Sequence, residues 1–82
     1  MNRNKEIRSA GLKVTHARKS ILKVLETSKE SHLSADSINK ILTKKNDDVG
    51  IATIYRVLNQ FVDAGICIKH HFDSEQAVFE LN

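Results

Sequence analysis

The periodicity of the sequence changes at Gly65, and this change constrains the fold more than any other feature. Apolar residues recur at helical spacing over residues 51–64, whereas apolar and polar residues alternate after Gly65. A period near 3.6 predicts an amphipathic helix, and a period of two predicts strands. The polar residues 73–76 interrupt the alternation, which predicts a β-hairpin. Because an isolated hairpin is only marginally stable, it is expected to pack on the helices.

Three further helices are predicted before residue 51. A short basic segment covers residues 2–10, a second helix begins after the N-cap residue Thr15, and a third begins after the N-cap residue Ser34. Four helices followed by a hairpin are typical of a winged helix-turn-helix with an extra N-terminal helix. We therefore expect an α+β, mainly α fold, with one winged-helix DNA-binding domain over residues 1–82 and the third and fourth helices as the helix-turn-helix pair.

Composition excludes several classes of protein. The chain has 82 residues and one cysteine, which is too few for a disulfide framework or a four-cysteine zinc site. No apolar run approaches the ~18 residues of a membrane span, and the N-terminus has no signal-peptide core. We expect a cytoplasmic protein that is not an enzyme, since no phosphate-binding glycine loop, Gly-x-Ser-x-Gly or His-Glu-x-x-His motif is present. A metal-dependent hydrolase would need a ligand cluster that the sequence does not indicate.

Positive charge is concentrated at the front of the chain. Residues 1–27 contain seven basic and two acidic residues, whereas residues 51–82 contain two basic and four acidic residues. Such a segment attracts phosphate backbones, although charge alone favours a solvated helix face. Lys13 lies in the link between two basic helices, where it could enter a minor groove. Arg18 lies in the first turn of a helix, where a cation opposes the helix dipole and an external anion would offset it.

The fourth predicted helix has the pattern of a reading helix. Small or polar residues lie opposite its apolar arc, and they are Ala52, Arg56, Asn59, Gln60 and Asp63. Arg56 can pair with guanine or phosphate, and Asn59 and Gln60 can bond to base edges. Tyr55 at the boundary can contact a thymine methyl or a phosphate. An ordinary amphipathic helix would look the same, but the neighbouring helix, the hairpin and the basic N-terminal segment together favour DNA reading.

Candidate metal ligands are sparse. His70 and His71 are adjacent on a predicted strand, so they face opposite ways and cannot both bind one ion. His32 in the loop before the third helix and Glu80 in the last strand could each be a ligand, although a lone histidine more often has a structural role. Cys67 is most simply a structural cysteine, because no second thiol accompanies it.

Four segments together resemble the N-terminal DNA-binding half of the ferric uptake regulator family. They are AGLKVTHAR at 10–18, SHLSA at 31–35, GIATIYRVLNQF at 50–61 and VFEL at 78–81. The run ATIYR is highly specific, and the resemblance covers essentially the whole chain. The family consists of dimeric, metal-sensing bacterial repressors, so the resemblance implies binding to double-stranded DNA at an AT-rich palindromic operator.

The resemblance also implies roles for individual residues. Tyr55 and Arg56 match the pair that contacts bases, Lys13 matches the arm lysine that reaches the minor groove, and Arg18 and Thr53 match positions near the phosphate backbone. Together with the pattern of the fourth helix, the expected DNA-binding residues are Lys13, Arg18, Ala52, Thr53, Tyr55, Arg56 and Asn59.

The metal site implied by the resemblance is partial. His32 and Glu80 match the two ligands that this half of the family contributes, and the other ligands and the dimerisation domain are expected beyond Asn82. A divalent ion of iron, zinc or manganese is implied for the full-length homodimer. Two ligands do not complete a site, so no cofactor is expected on this chain alone, which is predicted to be monomeric.

The sequence therefore predicts the DNA-binding domain of a metal-responsive bacterial repressor. The resemblance favours iron uptake as the process that the repressor regulates. Alone, this domain is expected to bind its operator weakly and without metal control, and it is not expected to bind membranes. The alternative is a winged-helix module that binds proteins and not DNA, which Lys13 and Arg18 beside the fourth helix disfavour.

Overall fold

The computed structural model describes residues 4–71 and 76–82, in which four helices precede a two-stranded antiparallel sheet. The elements are α1 (Asn4–Ser9), α2 (His16–Thr27), α3 (Ala35–Lys44), α4 (Ile51–Asp63), β1 (Cys67–His70) and β2 (Val78–Leu81). This order confirms the predicted mainly helical α+β winged-helix fold. Residues 73–75 of the predicted turn lie outside the described residues. Within the described ranges, no helix combines the length and hydropathy needed to cross a bilayer.

The helix ends follow the predicted capping residues. The Thr15 side chain accepts a hydrogen bond from the backbone N–H of Arg18, and the Ser34 side chain accepts one from that of Ser37. Both bonds satisfy N–H groups that the first turn leaves without a helical partner. Gly65 follows α4 with φ of +79°, the left-handed conformation that glycine adopts without strain.

The core forms where α4 packs against α2, α3 and β1. Phe61 on α4 and Phe79 on β2 are the largest fully buried side chains. The short helix α1, whose sequence indicated a polar segment, is anchored by a fully buried Ile7. Ile51, which the periodicity placed on the apolar arc, is 39% exposed because it lies at the N-terminal end of α4, outside the packed turns.

The hairpin packs on the helices as expected, and one residue outside it joins its edge. Leu33, just before α3, forms an antiparallel bridge to Phe79, with backbone N···O distances of 3.0 and 2.8 Å. Strand β2 thus lies between Leu33 and β1. Cys67 is buried, consistent with a structural cysteine, whereas Ile68 is exposed, so the core-facing side of β1 carries Cys67 and not Ile68.

Candidate nucleic-acid interface and metal ligands

The outward side of α4 carries the side chains that the periodicity singled out. Ala52, Tyr55, Arg56 and Asn59 are all exposed, and we call this set the reading face. The opposite side of α4 is buried in the core. Helix α4 therefore has an apolar side that seats it and a polar side that faces solvent. Thr53 lies between the two and is half-buried.

Arg18 connects the link between α1 and α2 (residues 10–15, which we call the basic arm) to α4. Its Nη1 donates to the backbone carbonyl of Lys13 at 3.0 Å, and its Nη2 donates to Oε1 of Gln60 at 3.0 Å. The guanidinium is therefore held between the arm and the helix, and Lys13, which is exposed, lies on the α4 side of the domain. Gln60, which the pattern offered as a base reader, uses its amide oxygen in this contact.

A second polar contact joins α2 to the segment after α3. Nε2 of His16 lies 2.7 Å from Oδ1 of Asp47 and 3.4 Å from Oγ of Ser20. Hydrogen bonds from Ser20 and His16 hold the pKa of Asp47 below its ordinary value of 3.8, while burial opposes this. This contact joins the start of α2, next to the arm, to the segment that follows α3.

The two predicted metal ligands lie together, and a third residue joins them. Nε2 of His32 lies 3.4 Å from Oε2 of Glu80, and Nε2 of His70 donates to Oε1 of Glu80 at 2.6 Å. The rings of His32 and His70 meet edge to face, with centroids 5.0 Å apart. We call these three residues the ligand cluster. One candidate ligand atom from each lies within 4.8 Å of the other two.

Backbone pairing places the three residues on one face. Leu33 bridges Phe79, so the residues on either side, His32 and Glu80, also face each other. His70 pairs with Val78 in the register of β1 and β2, which puts it diagonal to Glu80 on the same face of the sheet. The hydrogen bond from His70, followed by the positive charge that His32 and His70 can carry, holds the pKa of Glu80 below its ordinary value of 4.5, while burial opposes this.

Sequence reasoning missed His70 as a member of this cluster. The argument that adjacent strand residues face opposite ways is correct, but it excludes only a joint role of His70 and His71. A hairpin register pairing residue 70 with residue 78 would have put His70 on the face of Glu80, and that register depends on residues of the loop. His71 does not join the cluster among the described residues.

Helix α4 follows α3 and is followed by a hairpin that packs against it, which is the arrangement of winged-helix DNA-binding domains. The chain has the winged-helix fold. More particularly, it belongs to the ferric uptake regulator family, whose model matches residues 9–82.

Individual relatives agree with this assignment. The ferric uptake regulation protein of Pseudomonas fluorescens is 51% identical over 81 residues, which cover 99% of this chain and 66% of that protein. The structure of the ferric uptake regulator from Pseudomonas aeruginosa with manganese has a TM-score of 0.93 and 49% identity, covering 99% of this chain and 60% of that one. The Vibrio cholerae regulator has a TM-score of 0.92 and 48% identity, covering 96% of this chain and 60% of that one.

The chain spans between half and two thirds of the length of the curated relatives that it matches. The relatives named above are regulators and the family is one of regulators, which confirms the prediction that the chain is not an enzyme.

Proposed function

We propose that this chain is the DNA-binding domain of a metal-responsive transcriptional repressor that acts in the bacterial cytoplasm, with α4 in the major groove of an AT-rich palindromic operator. The observation that carries the proposal is the bridge from Arg18 to Lys13 and Gln60, because it joins the basic arm and α4 into one surface. The names of the relatives favour iron uptake as the regulated process.

The reading face supplies base contacts in this proposal. Arg56 presents five N–H donors in a planar fork, which suits the two acceptors of guanine or a phosphate. Asn59 can donate to and accept from adenine, and the ring of Tyr55 can lie against a thymine methyl group. Ala52 leaves room for the backbone of α4 to approach the bases. All four side chains are exposed, so DNA can reach them without any rearrangement of the core.

The flanking residues would contact the sugar-phosphate backbone. Lys13 is exposed at the end of the arm and can reach into the adjacent minor groove, where positive side chains are attracted by the negative potential of AT-rich DNA. Arg18 keeps part of its guanidinium committed to the bridge, so its role is to hold the arm on α4 and to add charge near a phosphate. Thr53, half-buried on the side of α4, can donate its hydroxyl to a phosphate.

A divalent metal in the full-length protein would be held by His32 and Glu80 together with ligands from the rest of the molecule. Imidazole nitrogen and carboxylate oxygen suit first-row ions such as iron, manganese and zinc, so the two residues fit such an ion. A relative of this chain is known with manganese. In a homodimer the bound ion would fix the orientation of each DNA-binding domain, and with it the spacing of two α4 helices at about one helical turn of DNA.

The proposal is tested by fluorescence anisotropy of the chain on an AT-rich palindromic duplex and on a random duplex of equal length. Arg56→Ala should cost about 1–3 kcal/mol of binding free energy on the palindrome and less on random DNA, because the lost contacts read bases. The matched control is Lys29→Ala, which removes an exposed cation from the connector between α2 and α3 and should change neither affinity.

Two further results would decide against the proposal. An equal loss on both duplexes for Arg56→Ala would remove the base-reading role of that residue. If the unmodified chain binds neither duplex at low salt, the protein-interaction module becomes the better account. Binding that is electrostatic should weaken log-linearly with salt, whereas a flat response would point away from phosphate contacts.

A further inference from the structure

Three separate backbone segments converge on Glu80, and only two of them supply the ligands named above. His32 comes from the loop before α3, Glu80 from β2 and His70 from β1. We propose that His70 is a third metal ligand, so that this chain alone carries a His-His-carboxylate site for a divalent first-row transition metal. The proposal deepens the metal role proposed above, and it replaces the two-ligand count on which the expectation of a metal-free chain rests.

The distances suit an ion with little rearrangement. Metal–ligand bonds of about 2.0–2.2 Å place neighbouring ligand atoms about 3.3–3.6 Å apart in a tetrahedral site. Nε2 of His32 and Oε2 of Glu80 are already 3.4 Å apart. The 2.6 Å contact from His70 to Oε1 of Glu80 would have to lengthen, which a small rotation of either side chain achieves. The hydrogen on Nε2 of His70 would move to Nδ1, since a neutral imidazole carries one N–H.

Backbone pairing holds the three segments before any ion arrives. The two hydrogen bonds between Leu33 and Phe79 fix His32 opposite Glu80, and the strand register fixes His70 beside them. The side chain of Ser31 adds an orienting contact, because its Oγ lies 3.1 Å from Nδ1 of His32. When Nδ1 donates its hydrogen to that hydroxyl, the lone pair of Nε2 is left available to a metal. Little ordering entropy therefore remains to be lost on binding.

The cluster is open on one side. The exposed fraction is 46% for the side chain of His32, 31% for that of His70 and 27% for that of Glu80. A hydrated ion can reach all three ligand atoms, and its remaining positions can hold water or, in a longer protein, further ligands. Two nitrogens and one carboxylate favour zinc, iron or cobalt over magnesium and calcium, which prefer oxygen ligands alone.

The test is a calorimetric titration of the 82-residue chain with Zn²⁺. One ion should bind per chain, and His70→Gln should weaken binding at least about tenfold. Glutamine can still donate a hydrogen bond to Glu80, so a residue that merely positions the carboxylate would be rescued, whereas a ligand would not. His71→Gln, at the neighbouring exposed histidine, is the matched control and should bind within about twofold of the unmodified chain.

A second measurement does not depend on any variant folding. In ¹H–¹⁵N spectra of the histidine rings, Zn²⁺ should shift the nitrogens of His32 and His70 and leave those of His16 and His71 unchanged. Unchanged His70 nitrogens, full affinity in His70→Gln, or no stoichiometric binding to the unmodified chain would each overturn the proposal.

The titration and the DNA assay test separate proposals, so either proposal can be refuted while the other stands. His70→Gln should bind the palindromic duplex with unchanged affinity, since His70 lies on β1 and not on the reading face. A chain that binds Zn²⁺ but no duplex would refute the proposed function alone. A chain that binds duplex but no Zn²⁺ would refute the third ligand alone.

Discussion

The reading face and the ligand cluster are built in different ways. The reading face comes from one helix, in which residues three and four apart share a side, so a local repeat determines which side chains face out. The ligand cluster needs three segments separated by as many as 48 residues along the chain, from His32 to Glu80, and it depends on which strand residues pair. The arrangement of the reading face should therefore tolerate changes elsewhere in the fold, whereas the geometry of the ligand cluster should be sensitive to them.

This difference predicts where mutations act. A substitution on the reading face changes what DNA meets without altering the core, because those side chains face solvent. A substitution in the residues that set strand pairing changes the geometry of the ligand cluster even when no ligand is touched. A suitable variant therefore affects either the reading face or the ligand cluster more than the other.

The largest effect is expected for Phe79→Ala. Phe79 is 1% exposed, and its backbone makes the bridge to Leu33, so the truncation should cost about 3–5 kcal/mol of unfolding free energy. Urea unfolding with and without Zn²⁺ should show less metal-induced stabilisation than in the unmodified chain, because the pairing that aligns the ligands is loosened. In the same variant, the stabilisation that duplex DNA gives to the folded protein should fall less than the stabilisation that Zn²⁺ gives.

Tyr55 on the reading face is the aromatic residue to compare with Phe79. This side chain is 42% exposed, so Tyr55→Ala should change the unfolding free energy by no more than about 0.5 kcal/mol. It should reduce the stabilisation by duplex and leave that by Zn²⁺ intact. Equal losses of both in either variant would show that the two regions are not separable.

The same contrast explains how much the sequence could predict. Thr15, Ser34 and Gly65 act through neighbours within a few residues, so their roles at helix ends were predicted and are confirmed. The exposed side of α4 was predicted for the same reason. The face of β1 that enters the core was not, because Ile66, Cys67 and Ile68 are all apolar and alternation alone does not select between them.

The contacts that sequence reasoning missed are all tertiary. The bridge of Arg18 spans 42 residues to Gln60, and the pair of His16 and Asp47 spans 31. His70 joins Glu80 over only 10 residues, but through a strand register that the alternation of apolar and polar residues does not determine. No local period encodes such contacts, so they follow only once the helices and strands are packed.

The bridge from Arg18 to Gln60 offers the next test, on the DNA side of the comparison. A double-mutant cycle of Arg18→Ala and Gln60→Ala should give a coupling of about 1.5 kcal/mol in unfolding free energy, since the donor is charged and the contact is half-buried. Both single variants should weaken duplex binding, because the arm is no longer held on α4. Additive effects on stability would show that the contact contributes nothing, and a change in Zn²⁺ affinity would break the separation of the two regions.

The two helix caps form a matched pair with smaller effects. Thr15 accepts from the N–H of Arg18 at 3.2 Å, and Ser34 accepts from that of Ser37 at 3.1 Å, so Thr15→Ala and Ser34→Ala should each cost about 1 kcal/mol of unfolding free energy. Thr15 lies beside the arm and Ser34 follows the bridging residue Leu33. Thr15→Ala should therefore weaken duplex binding more than Zn²⁺ binding, and Ser34→Ala should do the reverse. If both variants lose more duplex binding than Zn²⁺ binding, or both lose more Zn²⁺ binding than duplex binding, this prediction is contradicted.

The smallest effect is expected at Asp47, where only a charge is removed. Hydrogen bonds from Ser20 and His16 lower the pKa of Asp47 in the folded chain relative to 3.8, so its stabilising contribution is present above that pH and is lost as pH falls through the lower folded value. Asp47→Asn keeps the shape of the side chain and should be less stable than the unmodified chain at pH 7, with a difference that closes below about pH 4. Urea midpoints at both pH values measure it. Because Glu80 also titrates at acid pH but is common to both proteins, its contribution cancels in the difference. A gap that is constant with pH would mean that the contact of Asp47 does not depend on its charge.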